Sequence, residues 1–186
     1  MISDEVLGIA GERHIMSAGH RYAFRPLTPL DLPMLGEWLD RPHVAEWWDD
    51  EEDKLAEIRA AMADPSTQPH VVELDGRPIG YIQCYDPHLE DDHPYRDQPE
   101  GTLGIDQFIG EPELIGIGHG TRLIAAFADG LFRQGAVRVI IDPDPANARA
   151  IRAYEKAGFT AFDRRTTIYG DALMMARDAP DRNRQE

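Results

Sequence analysis

The chain has 186 residues, 42% of them hydrophobic, which is typical of one globular domain with a sizeable core. Its formal net charge of −15 disfavours nucleic acid and anionic membranes as partners and is compatible with a small cationic ligand. Cys84 is the only cysteine, so an intrachain disulfide and a cysteine-based zinc site are excluded. Neither a membrane span nor a secretory signal is apparent, so we expect a cytoplasmic location, as a monomer or a homodimer.

The chain divides into three segments. Residues 1–19 form a weakly patterned N-terminal extension that is expected to be partly ordered, and residues 178–186 form a polar tail. Between them, residues 20–177 contain no internal repeat and no linker long enough to separate two units. The sequence therefore predicts a single domain over 20–177.

The first half of this domain predicts one strand, then helices, then a hairpin. Residues 20–27 alternate as a strand does, and leucines at 32, 35 and 39 indicate a helix. Shorter helical patterns cover about 42–48 and 51–62. Residues 70–74 and 79–85 flank Asp75-Gly76, a dipeptide typical of a tight hairpin turn.

The second half alternates strands with helices. Residues 86–100 form a long polar loop, and strands are expected at 102–109, 137–141, 160–167 and 172–175. A helix begins near residue 119 and ends before Gly135, and another covers 147–157 and ends at Gly158. The order β-α-α-β-β-β-α-β-α-β-β predicts a mixed α/β (α+β) domain with a parallel crossover within 102–141.

A glycine-rich turn leads into the first of these helices. Gly116, Gly118 and Gly120 alternate with other residues, and a helical pattern starts at once. Backbone N–H groups at such a helix start bind phosphate or pyrophosphate, and glycines permit close approach. No lysine follows the glycines, which excludes a nucleotide-hydrolysing P-loop, and their spacing differs from that of a dinucleotide fold. A tight turn without any ligand is the alternative.

A second segment identifies the ligand class by resemblance. Residues 147–159 carry the pattern N-x-x-A-x-x-x-Y-x-x-x-G-F, which resembles the last signature of the GNAT superfamily of N-acetyltransferases. Further strings, at 43–48, 78–83 and 104–107, are similar to the aminoglycoside 6′-N-acetyltransferase branch, and the resemblance spans roughly 22–175. It implies the GNAT fold: a mixed, mostly antiparallel central sheet of six to seven strands, splayed at its central strands and flanked by about four helices.

The resemblance also implies an activity. It is direct transfer of an acetyl group from acetyl-CoA to a primary amine of a small cationic acceptor, without an acyl-enzyme, and the leading acceptor is the 6′-amine of an aminoglycoside-like aminosugar. Other acceptors remain open, namely a siderophore hydroxylysine, a polyamine or a protein N-terminus. A non-catalytic acyl-CoA-binding domain is the alternative from a different class.

Two residues are candidates for catalysis. Asp106 lies within an apolar strand, where a carboxylate needs a partner, and a substrate ammonium would serve as one. It is the candidate proton acceptor, since an aliphatic ammonium with a pKa of roughly 10 must lose a proton before it can attack. Tyr154 is the candidate acid for the leaving thiolate. A structural aspartate and a core tyrosine are the respective alternatives.

The remaining donor contacts follow from the resemblance, whereas the acceptor contacts follow also from chemistry, because aromatic faces suit a sugar ring or a cation and a ligand cleft is expected at a strand end. Residues expected to bind acetyl-CoA are Gln107, Phe108, Ile109, Ile117, Gly118, His119, Gly120, Thr121, Arg122, Asn147, Arg152 and Tyr154. Residues expected to contact the acceptor are Trp47, Trp48, Asp91, Asp92, Asp106 and Asp142. Core packing of a tryptophan, a solvated loop at 91–92 and a turn or helix-cap role for Asp142 are the alternatives. No metal is expected, and Cys84 is expected to be a packed small residue.

Overall fold

The computed structural model of the protein describes residues 13–17, 19–48, 54–168 and 170–180. Within these residues eight strands form one sheet, together with five α-helices. The strands are β1 Arg13–Ser17, β2 His20–Pro26, β3 Thr67–Leu74, β4 Arg77–Tyr85, β5 Thr102–Ile109, β6 Arg138–Ile141, β7 Thr160–Thr167 and β8 Gly170–Asp178. The helices are α1 Leu32–Leu39, α2 Pro42–Ala45, α3 Lys54–Ala63, α4 His119–Arg133 and α5 Ala148–Lys156.

The sheet order is β1-β2-β3-β4-β5-β6-β8-β7, and its pairs are antiparallel except for the parallel pair β5–β6. Helix α4 connects the parallel pair, so the predicted crossover within 102–141 is confirmed. The mixed α/β architecture with a mostly antiparallel sheet is confirmed as well.

The turns expected from the sequence have the backbone geometry that glycine allows. Asp75 and Gly76 have φ of 52° and 83°, as in a hairpin turn with two left-handed residues. Gly135 and Gly158 follow the ends of α4 and α5 with φ of 110° and 94°. These positive values match the left-handed residue that commonly ends a helix.

Two parts of the fold differ from the sequence prediction. Strand β1 lies within the predicted extension 1–19 and pairs with β2 through a turn at Gly19, so the sheet has eight strands where six to seven were expected. Backbone pairing to a sheet edge leaves little trace in a short polar sequence. The helix predicted at about 51–62 is confirmed as α3, which brings the described α-helices to five where about four were expected; its predicted start at 51–53, most of the extension and the tail beyond residue 180 lie outside the described residues.

Helices cover both faces of the sheet. Helices α4 and α5 pack on one face, over apolar side chains that include Ile82, Ile105 and Val139. Helices α1, α2 and α3 pack on the other face, around Val71 and Tyr81. In the part of the chain that the structure describes, no helix is both long and apolar enough to cross a membrane.

The sheet opens in its middle, between β5 and β6. Only residues 102–104 of β5 pair with β6, whereas β5 pairs with β4 along residues 104–109. The carbonyl of Gly101 accepts from Val137 and that of Ile109 accepts from His43, whereas the N–H of Gly110 donates to the carbonyl of Ile79 in β4. Because backbone groups alternate sides along a strand, the odd-numbered residues 105 and 107 direct theirs into this opening.

Candidate active site

Two carboxylates lie at the opening between β5 and β6. Asp106 belongs to β5, and Asp142 directly follows β6. Asp106 Oδ2 accepts a hydrogen bond of 2.8 Å from Gln83 Nε2, and Gln83 Oε1 in turn accepts from the Tyr81 hydroxyl at 2.5 Å. Register explains this contact, because Gln83 stands opposite Asp106 in the β4–β5 pair.

The two carboxylates influence each other's protonation. Burial raises the pKa of Asp106 above its ordinary value, against the lowering effect of the Gln83 bond. Burial, and next the negative charge of Asp106, raise the pKa of Asp142 to about 7. Like charges that are held close in a buried site favour binding of a proton or a cation. The pair is therefore suited to receive an ammonium group and to accept its proton.

Tyr154 lies on the α4–α5 side of the sheet, in contact with the strand that carries Asp106. It is 5% exposed, and its hydroxyl accepts a hydrogen bond of 3.2 Å from Gln107 Nε2. Burial raises the pKa of Tyr154 to about 12, so the phenol keeps its proton at neutral pH. Gln107 Oε1 is buried and has no hydrogen-bond partner among the described residues, which leaves an acceptor directed at the same region.

The glycine-rich turn forms the start of α4. Gly116 and Gly118 have φ of 79° and 90°, and Gly118 is the N-cap residue. The N–H of Arg122 donates to the carbonyl of Gly118 at 3.2 Å, as in the first full helical turn. The preceding N–H groups, at 119–121, have no intrahelical acceptor by geometry and point beyond the helix end. A Cβ atom on Gly118 would lie 3.0 Å from Arg122 Nη1.

Tyr22, which the sequence did not indicate as a site residue, holds this turn through contacts with the predicted residues His119 and Arg122. The Tyr22 hydroxyl lies 2.6 Å from His119 Nδ1 and accepts a bond of 3.1 Å from Arg122 Nε. Burial, followed by the charge of Arg122, lowers the pKa of His119, which favours a neutral imidazole in this contact. Tyr22 follows the ordinary strand alternation of β2, so its pattern indicates only a core residue.

Of the two predicted tryptophans, Trp48 lies against the face of β4 and β5 that carries Asp106. Trp48 packs edge-on against Phe108 and Tyr81, with ring centroids 5.1 and 6.0 Å apart. Phe108 is buried and stacks on Tyr81 at 5.5 Å. Trp47 is half-buried. Trp48 therefore both packs against the strands and stands close to the Tyr81–Gln83–Asp106 chain.

Other predicted residues have additional structural roles or lie at the surface. Asn147 Oδ1 accepts from the N–H of Ala150 at 3.0 Å, which makes Asn147 the N-cap of α5. Ile109 is half-buried, and Arg152 is exposed on α5. Asp91 and Asp92 are exposed, and Asp91 lies 3.4 Å from Arg96. In the described ranges, no group of three histidine, cysteine, aspartate or glutamate side chains is arranged to hold a metal ion.

Asp142 contacts a residue that sequence reasoning did not select. The Tyr95 hydroxyl donates to Asp142 Oδ2 at 2.5 Å. Tyr95 belongs to the polar loop between β4 and β5, yet it is 1% exposed. The only feature of the sequence that could have indicated this buried residue is that Tyr95 is a single aromatic residue in a loop rich in charged residues. The predicted alternatives for Asp142, a turn or a helix cap, do not describe this contact.

The comparisons with known proteins agree with this geometry. Residues 28–167 match the model of the acetyltransferase (GNAT) domain family. The chain is 37% identical over 190 residues to the aminoglycoside N(6′)-acetyltransferase type 1 of Serratia marcescens, covering 96% of this chain and 94% of that protein.

Solved structures of similar sequence identity also share the fold of this chain. The structure of AAC(6′)-Ib in complex with ribostamycin and coenzyme A has a TM-score of 0.79 at 37% identity, covering 89% of this chain and 98% of the other. Its complex with coenzyme A and kanamycin has a TM-score of 0.76 at 36% identity, over 84% and 94% of the two chains. Together with the open sheet and the glycine turn at α4, these matches show that the chain belongs to the GNAT acetyltransferase family.

Proposed function

We propose that the protein transfers an acetyl group from acetyl-CoA directly to the 6′-amine of an aminoglycoside or a closely related aminosugar. The observation that carries this proposal is the pair Asp106 and Asp142 at the opening of the sheet, where burial raises the pKa of both carboxyl groups. Such a pair suits a substrate with several ammonium groups. Relatives solved with ribostamycin and with kanamycin support the same acceptor class.

The turn before α4 fits the diphosphate of the acetyl donor. Its N–H groups at 119–121 precede the first helical hydrogen bond, and the positive end of the helix dipole favours an anion there. Gly118 has a left-handed φ of 90°, and Arg122 places a guanidinium beside it. We propose that residues 117–122 hold the diphosphate, with Asn147 and Arg152 on the side of α5.

The opening between β5 and β6 fits the reacting end of the donor. The backbone of residues 105 and 107 faces this opening, where no described strand pairs with it. An N–H fixed in this position is suited to bind the carbonyl oxygen of the acetyl group and to stabilise the charge that develops on it. Gln107, Phe108 and Ile109 form the strand beside the donor in this proposal.

Asp106 and Tyr154 are assigned the two proton transfers. Asp106 accepts the proton of the acceptor ammonium, directly or through water, and the raised pKa of this carboxyl makes it a better base than an exposed aspartate. Tyr154 retains its proton at neutral pH because burial raises its pKa to about 12. It can therefore donate that proton to the departing sulfur. The two residues approach the opening from opposite faces of β5.

The acceptor is held by charge and by aromatic surface. Asp142 is proposed to receive a second amino group, and Trp48, with Trp47, to form an aromatic wall suited to a sugar ring or a cation. The exposed Asp91 and Asp92 extend the negative potential along the loop. The overall charge of −15 attracts polycations and repels nucleic acid. We place the reaction in the cytoplasm, where acetyl-CoA is available, and expect a monomer or a homodimer.

Thiol release from acetyl-CoA tests the proposal across a panel of amines. The panel contains kanamycin and ribostamycin, putrescine and N-hydroxylysine, and a pair of aminoglycosides that differ only in an amine or a hydroxyl at position 6′. We expect turnover with the 6′-amine and none with its hydroxyl counterpart. Turnover confined to the amines that are not sugars contradicts the proposed acceptor, and binding of acetyl-CoA without turnover of any amine supports a non-catalytic domain.

A further inference from the structure

Tyr95 is buried inside a loop whose sequence is otherwise polar. Its ring is 1% exposed and packs with Tyr85, Ile140 and Met174, side chains from three strands of the sheet. Packing therefore fixes the ring in place independently of its hydroxyl group. This separation makes the contribution of the hydroxyl testable, because phenylalanine can fill the same volume.

The hydroxyl of Tyr95 acts on Asp142. It occupies Oδ2 of this carboxylate at 2.5 Å, and a carboxylate can accept about four hydrogen bonds, so capacity remains for a substrate amino group. The titratable groups that act on this site are Asp106 from β5, whose carboxyl can carry a negative charge, and the neutral hydroxyls of Tyr95 from the loop and Tyr154 from α5. Burial and Asp106 disfavour a negative charge on Asp142, whereas the bond from Tyr95 favours it. The hydrogen bond from Tyr95 thus counteracts the effect of Asp106 on the charge of the Asp142 carboxylate.

Arg165 of β7 holds the loop on both sides of Tyr95. Its Nη1 donates to the carbonyl of Pro94 at 3.1 Å, and its two terminal nitrogens bind the two oxygens of Asp97 at 2.9 and 2.6 Å. Its guanidinium carbon lies 5.9 Å from the centre of the Tyr95 ring. Asp163, on the same strand, accepts from Nε at 2.9 Å and so orients the guanidinium plane.

We propose that Tyr95 is a positioning residue for the acceptor: it holds the Asp142 carboxylate, oriented and charged, for an amino group of the substrate, and the Arg165–Asp97 pair keeps Tyr95 in place. This inference rests on the proposed function, since it assigns the acceptor contact of the same site. It makes the loop 86–100 a determinant of acceptor affinity through a buried residue as well as through its exposed aspartates.

Tyr95→Phe tests the role of the hydroxyl. The KM for the acceptor is expected to rise about tenfold, the size of one charge-assisted hydrogen bond, with the KM for acetyl-CoA unchanged. The acid limb of kcat/KM for the acceptor is expected to move upward by about one pH unit, because the Asp142 carboxyl binds its proton more tightly without the donor. The thermal midpoint is expected to stay within a few degrees, because the ring still packs.

Arg165→Lys tests the clamp, with Arg164→Lys as its matched control. The lysine keeps the charge but cannot bind both oxygens of Asp97, so the acceptor KM is expected to rise several-fold in the same direction as in Tyr95→Phe. Arg164 is the exposed neighbour on β7, and its variant is expected to match the wild type.

Unchanged acceptor KM and pH profile in Tyr95→Phe overturn the inference, and so does an equal loss for both substrates accompanied by a large fall in stability. Failure of the proposed function gives a different experimental result. In that case the wild type itself does not acetylate aminoglycosides, and the same KM and pH comparison with the amine that it does acetylate decides the role of Tyr95.

Discussion

Replacing Asp106 with asparagine removes the proposed base but keeps the hydrogen bond that this side chain accepts. An asparagine oxygen can still accept the 2.8 Å bond from Gln83, so the Tyr81–Gln83 chain remains satisfied. What is lost is a base, and a positioned general base contributes about 10²- to 10⁴-fold to rate. We therefore expect kcat/KM for the acceptor to fall by that factor, which corresponds to about 2.7–5.4 kcal/mol of barrier.

The same substitution is expected to increase stability. The folded-state pKa of Asp106 lies above its value of about 4 in the unfolded chain, so the folded protein loses stability as the pH rises from 4 through the raised pKa. For each pH unit between the two pKa values, ionisation costs the folded protein about 1.4 kcal/mol. Asparagine does not ionise. The gain in stability should therefore be small at pH 4 and larger at pH 8.

Thiol release at saturating acetyl-CoA measures the first effect, and thermal unfolding at pH 4 and pH 8 measures the second. Asp40→Asn is the matched control, because Asp40 is an exposed carboxylate at the end of α1. It should change neither quantity. Activity of Asp106→Asn within threefold of the wild type would refute the assignment of the base. A loss of stability at pH 8 would refute the reasoning about burial.

Three further predictions address other parts of the molecule. Gly118→Ala should raise the KM for acetyl-CoA about tenfold, because alanine at φ 90° costs about 1–2 kcal/mol and its Cβ crowds the turn. Gly19→Ala is the control: Gly19 also has a positive φ, 82°, but open space surrounds it, so both KM values should stay unchanged. Tyr154→Phe should lower kcat about 10²-fold with little change in either KM, and an unchanged kcat would remove the tyrosine from the proton path. Asp31→Asn should cost about 1–2 kcal/mol in urea unfolding at pH 7, because Arg25 lowers the pKa of this partly buried carboxyl to about 2. The difference from wild type should disappear as the pH falls from 4 to 2, and a constant difference would contradict the ion-pair explanation.

The sequence was sufficient to predict local structure where a residue type favours one backbone conformation. Asp75-Gly76, Gly135 and Gly158 predicted their turns because left-handed backbone favours such residues, and the structure confirms all of them. The glycines at 116–118 predicted the start of α4 in the same way. The position of Asp106 in an apolar strand likewise predicted a carboxylate in need of a partner, and the structure adds Gln83 as its hydrogen-bond donor.

The sequence was insufficient where a contact joins distant segments. Tyr95 lies 47 positions before Asp142, and Tyr22 lies 97 positions before His119, so neither contact leaves a local periodicity. Arg165 binds a loop 68 positions away, and its pattern on β7 is that of an ordinary exposed arginine. Strand β1 was missed because its pairing with β2 is made by backbone groups that every sequence provides.

Strand β5 separates from β6 after Gly104, so one side of β5 is an unpaired strand edge in the middle of the sheet. Strand edges are normally covered, because unpaired N–H and C=O groups attract other strands. The pantetheine arm of the acetyl donor carries amide groups of the peptide type, so it can act here as a removable strand. Amide hydrogen exchange at residues 105 and 107 should then slow when coenzyme A is added. Under the proposed function, a donor bound in this opening at one hundred times its Kd adds about 2.7 kcal/mol to the stability of the folded protein, so we expect the thermal midpoint to rise with the concentration of coenzyme A.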